Sequence, residues 1–237
     1  AYRGEYLKEN NAAEDDYSDL IELVRVLDAG QTPDAVFSEE VQRVLSVRDW
    51  MRYFAINVLM ENGESSLGNG VGDDYLLVHD PTTGKFRLVP RDFDTILGLG
   101  DTPGKVNKNL FVAAQVPAVN RFLKWPDFVP VFYEQLLELS DTVFAAERFD
   151  PLVDQVLGSL VPAGVLQAAK SFAAARRDYV LAQIPVRLTV THSLATHRGL
   201  LHTTLSPIQL SGQAHAAKTR TVLVNGQTAA WSAWEAR

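Results

Sequence analysis

The sequence predicts an α+β chain: a mostly helical portion over residues 1–185 that carries one β-hairpin, then a strand-rich segment over 186–237 that reads as the start of an incomplete β-sandwich-like unit. Three observations predict it. Apolar residues recur at helical spacing from 16 to 60 and again from 107 to 183. Two strand-like runs, 75–78 and 85–89, stand alone between those stretches, and after Pro185 the vocabulary changes to short β-branched runs and turn dipeptides.

Taken in order, residues 1–15 alternate aromatic and polar side chains and then turn acidic, as an extended lead-in would. From Asp16 the positions Leu20, Ile21, Leu23, Val24 and Leu27 fall on a helical face, and Gly30 and Pro33 end that helix. Ser38 is the expected start of a second helix, with Glu39 and Glu40 in its first turn where the helix dipole favours acids. Ser46 and Asp49 have capping-box spacing, with aspartate for the usual glutamate, ahead of Trp50, Phe54, Ile56, Val58 and Leu59. A long buried helix is expected over 47–60. It leads into residues 61–70, which have no periodicity and are rich in turn formers.

His79-Asp80-Pro81-Thr82-Thr83-Gly84 joins the two strands as a hairpin loop, and Gly98, Gly100, Pro103 and Gly104 make the residues after Arg91-Asp92-Phe93-Asp94 a loop. Further helices are expected over 128–139, 149–157 and 165–184, the last rich in alanine. Beyond Pro185, Asn225-Gly226 is a two-residue hairpin turn.

Composition narrows the function classes. The 237 residues are 46% apolar and 22% charged, ordinary globular usage. A net charge of −7 and a pI near 5.2 exclude a phosphate-backbone binder, which needs clustered Lys and Arg, so no nucleic-acid partner is expected. Zero cysteines exclude disulfides, thiolate zinc sites and a cysteine nucleophile. No apolar run approaches the roughly 18 residues of a membrane span. The chain opens at Ala1 without an initiator Met, and is expected to be an excerpt from a longer polypeptide.

The chemistry concentrates between Asn62 and Asp101. Glu64, Asn69, Asp73, Asp74, Asp92 and Asp94 flank one hairpin, and carboxylates brought together repel unless a cation neutralises them. Asp73 and Asp74 precede the first strand and Asp92 and Asp94 follow the second, so both pairs belong at the open end. If residues 92–94 stay extended, Asp92 and Asp94 face the same way. Oxygen ligands without His or Cys suit magnesium, manganese or calcium.

The order of these motifs resembles the CotH (spore coat protein H) kinases. A helix is followed by Glu64, four residues and Asn69, then Gly72-Asp73-Asp74-Tyr75, a hairpin, and Arg91-Asp92-Phe93-Asp94-Thr95-Ile96-Leu97-Gly98. The family pattern runs Asn-Trp-Asp, a short loop with Asn, His-Asn-Tyr-Tyr-Leu-Tyr, a hairpin, and Trp-Asp-x-Asp-x-x-x-Gly. The match is specific over about residues 45–100 and looser over 1–183.

The resemblance implies the larger lobe of an atypical protein kinase that transfers phosphate from ATP to a protein hydroxyl with Mg2+ or Mn2+. Glu64 and Asp92 would be catalytic; Asn69, Asp73 and Asp74 would lie against the cofactor; Asp92, Asp94 and Asn69 would hold metal. Two departures stand out: Glu64 occupies an aspartate position, and Asp73-Asp74 replaces His-Asn. The phosphate-binding lysine of a kinase small lobe would lie upstream of Ala1, Lys8 being the one early lysine. A secreted or cell-surface bacterial multi-domain setting follows by analogy.

Plainer readings remain beside these. Lone loop acids are usually solvated, and Asn62-Gly63 and Asn69-Gly70 are common turn dipeptides. A calcium-stabilised binding or scaffolding module would equally use the Asp73-Asp74 charge. Tyr75, Phe86, Phe93, Trp231 and Trp234 read as core aromatics, and His192, His197, His202 and His215 as surface or strand residues. Arg176 and Arg177 read as helix-end cations.

Overall fold

A helix begins at Ser18 because Leu20, Leu23, Val26 and Leu27 give the chain one apolar stripe, and this computed structural model buries that stripe. It describes residues 6–62, 64, 66–70, 74–112, 114–204 and 208–237. α1 (Ser18–Leu27) packs on α2 (Asp34–Val44), which buries Phe37, Val41 and Val44.

α2 starts four residues earlier than expected. Pro33, with φ −59°, is already set for helix entry, and Asp34 occupies the first turn. Ser38 therefore lies inside the helix, where its hydroxyl donates to Asp127 Oδ2 and accepts the Trp125 indole N–H at 2.7 Å.

α3 (Val47–Met60) is the central element, burying Trp50, Met51, Tyr53, Phe54, Val58 and Leu59. Its expected capping box is not made: Ser46 offers no side-chain cap. The Ser46 N–H instead reaches Phe86 O at 3.4 Å, and Asp49 turns toward Arg87 at 3.6 Å. Phe86 O thus takes the Ser46 N–H that Asp49 would accept in a capping box, and it also accepts the Trp50 indole N–H at 2.9 Å.

After the short α4 (Ser66–Asn69), β1 (Tyr75–Asp80) and β2 (Lys85–Pro90) pair antiparallel from Tyr75↔Pro90 to Asp80↔Lys85. Phe86 and Leu88 alternate inward onto α3, as period-two geometry requires. Gly84, at φ +66°, closes the turn with its N–H on Asp80 O at 2.8 Å.

α5 (Pro117–Lys124), α6 (Val129–Asp141), α7 (Ala146–Leu157) and α8 (Ala163–Gln183) follow. α6 lies along α3, joined by Phe132, Leu136 and Leu139 in the core. Arg48 and Arg52 bridge to Glu134 and Glu138 at 2.8–3.0 Å on the exposed flank, where such pairs contribute little. α8 offers Ala169, Ala173, Arg176 and Val180 as its buried face.

The remaining strands pair two at a time among the described residues: β3 (Thr189–Thr191) with β6 (Ser211–Gln213), β4 (Ala195–His197) with β5 (Leu200–His202), and β7 (Leu223–Val224) with β8 (Gln227–Thr228). Asn225 and Gly226, at φ 51° and 79°, form the expected hairpin turn, since both central residues of that turn need positive φ. Leu188, Val190, Leu200 and Leu223 stay exposed, whereas Ala216, Ala233 and Ala236 join the cluster that holds Trp50 and Phe132. The architecture is α+β. Among the described residues no helix is long and apolar enough to cross a membrane.

Candidate functional site

The site begins where α3 ends. Glu61 adopts the left-handed conformation at φ 50°; its N–H returns to Val58 O at 3.3 Å and the Asn62 N–H to Asn57 O at 3.0 Å. This is the Schellman pattern, in which glycine usually takes the left-handed place. Glutamate is accommodated because its carboxylate is held: Oε2 lies 3.4 Å from Arg176 and Oε1 2.8 Å from Lys108.

Asn62 carries this order forward. Its amide donates to Asn57 Oδ1 at 3.0 Å, and its own Oδ1 accepts the Glu64 N–H at 3.0 Å. Asn57 in turn donates to Tyr53 O. A hydrogen-bonded chain thus runs from the core of α3 to the backbone of Glu64, which is half-buried. Asn69 ends α4, whose Gly68 carbonyl accepts the N–H groups of Gln115 and Val116 at 3.0 and 3.2 Å.

The Asn69 side chain and the whole of Asp73 lie outside the described residues. Asp74 is described and nearly sealed, at 9% exposure. Its carbonyl accepts the Arg91 N–H at 3.0 Å, so the ladder continues one step past Tyr75↔Pro90 and sets Asp74 beside Arg91. Tyr75 accompanies it inward, where burial first and a 3.0 Å hydroxyl contact with Tyr6 second push its phenol well above the usual range.

The residues after β2 do not stay extended. Asp92 has φ +53°, a conformation that aspartate tolerates better than most residues, so the alternation that would align Asp92 with Asp94 does not apply. The chain bends there because it must come back to α3: the Leu97 N–H reaches Met60 O at 2.7 Å. Asp92 and Asp94 are both exposed, and Asp94 accepts the hydroxyl of buried Thr95 at 3.3 Å.

Among the described residues no three His, Asp or Glu side chains are close enough to form a metal-holding group. A cavity of about 200 Å³ lies between α3 and β2, against Tyr53, Ile56, Asn57, Leu88 and Pro90 with Asp49 and Arg52. None of the candidate acids lines it. Lys8 is engaged locally, its ammonium on Asp16 O at 2.9 Å.

Sequence reasoning missed Arg176. It is no helix-end cation: it stands seven residues before Gln183, fully buried, and Arg177 beside it donates to Ser140 O. Burial pushes the Arg176 guanidinium down from its ordinary value while Glu61 opposes that shift. The signal was present, since Ala169, Ala173 and Val180 mark an inward face and Arg176 falls on it.

A family model described as CotH kinase protein matches residues 2–171. A search among curated proteins finds no match. The matched span runs from the residues before α1 into α8 and takes in the Glu64 loop, the hairpin and the Asp92 turn. Covering well over half of the chain, with the motif order seen in the sequence, that match identifies the protein as a member of the CotH kinase family.

Proposed function

We propose that this kinase-like chain transfers the γ-phosphoryl group of ATP to a protein hydroxyl, with Mg2+ or Mn2+. Membership of the CotH kinase family carries the reading. Its support in the fold is that the backbone of Glu64 is tethered to α3 through Asn62, while Asp74 and Arg91 close the hairpin end from which Asp92 and Asp94 depart.

Glu64 accepts the proton of the acceptor hydroxyl as the oxygen–phosphorus bond forms and ADP leaves. Asn69, Asp92 and Asp94 would hold the metal, a donor set of hard carboxylates and an amide that suits magnesium or manganese. The metal, when bound, neutralises phosphate charge. By the family resemblance, Asp73 and Asp74 would be assigned to the cofactor. Placement and charge neutralisation account for the catalysis, as is general for phosphoryl transfer. The setting we propose is a secreted or cell-surface multi-domain bacterial protein.

The test is a thermal titration of the full natural polypeptide. ATP with Mg2+ or Mn2+ raises the melting temperature, and Asp92→Asn removes that response without altering the unliganded melt, because asparagine also tolerates φ +53°. An Asp92→Asn protein that responds to nucleotide like the parent refutes the assignment. Stabilisation by Ca2+ alone, with no nucleotide response, selects a calcium-held scaffolding module instead.

A further inference from the structure

An arginine fully sealed from solvent needs a reason, because charge removed from water is costly unless it is paired and hydrogen-bonded. From α8, Arg176 engages two other chain segments at once, the end of α3 and the 106–108 stretch. Its Nε donates to Val58 O at 2.8 Å, and its Nη1 to Val106 O at 2.7 Å and to Lys108 O at 2.6 Å. Among the described residues its Nη2 makes no hydrogen bond and is offset by charge alone, 3.4 Å from Glu61 Oε2, while the other Glu61 oxygen meets the Lys108 ammonium at 2.8 Å.

Gly104 completes the arrangement. A Cβ there would stand 2.1 Å from Glu61 Cγ and 2.7 Å from Glu61 O, so the backbone at Gly104 lies directly on Glu61. An apolar side chain of similar volume would fill the same space with no charge to desolvate. It would not, however, fix direction. A planar guanidinium gripping three carbonyls and a carboxylate admits one relative placement of the segments that carry them.

Those segments flank the candidate site. Glu61 immediately precedes Asn62, which tethers Glu64; Val106 and Lys108 follow the Asp92–Asp94 turn. The geometry points to Arg176, acting through Glu61 and Lys108, as the positioning residue that sets the Glu64 loop against the 104–110 segment; the catalytic part of this inference rests on the phosphoryl-transfer reading above. Lys108 is its adjustable member, since its side chain is partly exposed whereas Arg176 and Glu61 are sealed.

Lys108→Met in the full natural polypeptide tests this while retaining most of the stem and leaving Arg176 in place. Amide hydrogen exchange is read over 62–70 and 104–112, with α1 and α2 as reference, beside kinetics with ATP–Mg2+ and casein as acceptor. The variant exchanges roughly ten-fold faster in both segments and unchanged in α1 and α2, and kcat falls by about ten-fold with KM for ATP held. Faster exchange in 104–112 alone, or equally throughout the chain, overturns the inference, as does unchanged kcat beside loosened segments. A parent protein that transfers no phosphate, while Lys108→Met still loosens both segments together, refutes the phosphoryl-transfer reading and upholds the coupling.

Discussion

The ammonium of Lys124, at the end of α5, stands 4.2 Å from the ring centroid of Trp234, and the same indole meets Phe111 edge-on at 5.7 Å. Tyr133 on α6 donates its hydroxyl to Trp234 O, and Ala236 beyond it is fully buried. The last residues thus close over the helices, although about a hundred positions separate Trp234 from Tyr133 in the chain.

This contact predicts that Trp234→Ala loses roughly 2 kcal/mol of stability, below the range for a wholly buried tryptophan because the ring is partly exposed. Urea denaturation measures it, and removal of residues 231–237 lowers the midpoint further. A shortened chain with the parent's midpoint would show that this segment lies on the helices without stabilising them.

The turn that carries Asp94 is close-packed at Gly100. A Cβ there would meet Asp94 O at 2.3 Å and Thr95 Cα at 2.7 Å, with φ at +89°. Gly100→Ala is expected to destabilise by about 2–4 kcal/mol, combining backbone strain with a clash against main chain that has nowhere to move. Gly84→Ala is the control: its φ is +66° but no atom lies within 4 Å, so it loses only the left-handed penalty of about 1–2 kcal/mol. Equal melting temperatures for the two variants would contradict the packing account.

Acid sensitivity is expected at the α1–α2 contact. Hydrogen bonds from Arg25 first and Arg43 second hold the Glu22 carboxylate at about 2, against an ordinary value of 4.5. A folded-state value below the unfolded one stabilises the fold above pH 4.5, and that contribution is lost as pH falls toward 2. Glu22 is a third exposed, so solvent screening limits the effect to about 1 kcal/mol or less. Glu22→Gln should therefore differ from the parent at neutral pH and converge with it in acid, as urea midpoints across the pH range would show; a constant difference would exclude this ion pair as the source.

Much of the frame was legible because it is locally encoded. The stripe through Trp50, Phe54, Val58 and Leu59 marks α3 to the residue, and the β1–β2 pairing follows from two short runs and a turn. Element starts were less so. α2 begins at Asp34, not Ser38, because Pro33 sets the entry and Ser38 is drawn to Trp125 and Asp127, partners 87 and 89 residues away.

By itself the sequence determined the longer helices, the hairpin, the Asn225-Gly226 turn and the motif order that marks the CotH kinase family, since each depends on neighbours a few residues apart, whereas the short α4 and α5 were not placed. Only the tertiary structure decided that Asp92 turns left-handed and that Arg176 is buried against Glu61. The bend at Asp92 serves a hydrogen bond from Leu97 to the end of α3, and Arg176 binds a carbonyl 118 residues earlier. Periodicity puts Arg176 on the inward face of α8 but leaves no trace of the partners it meets there, because loop closure brings together residues that share no local pattern.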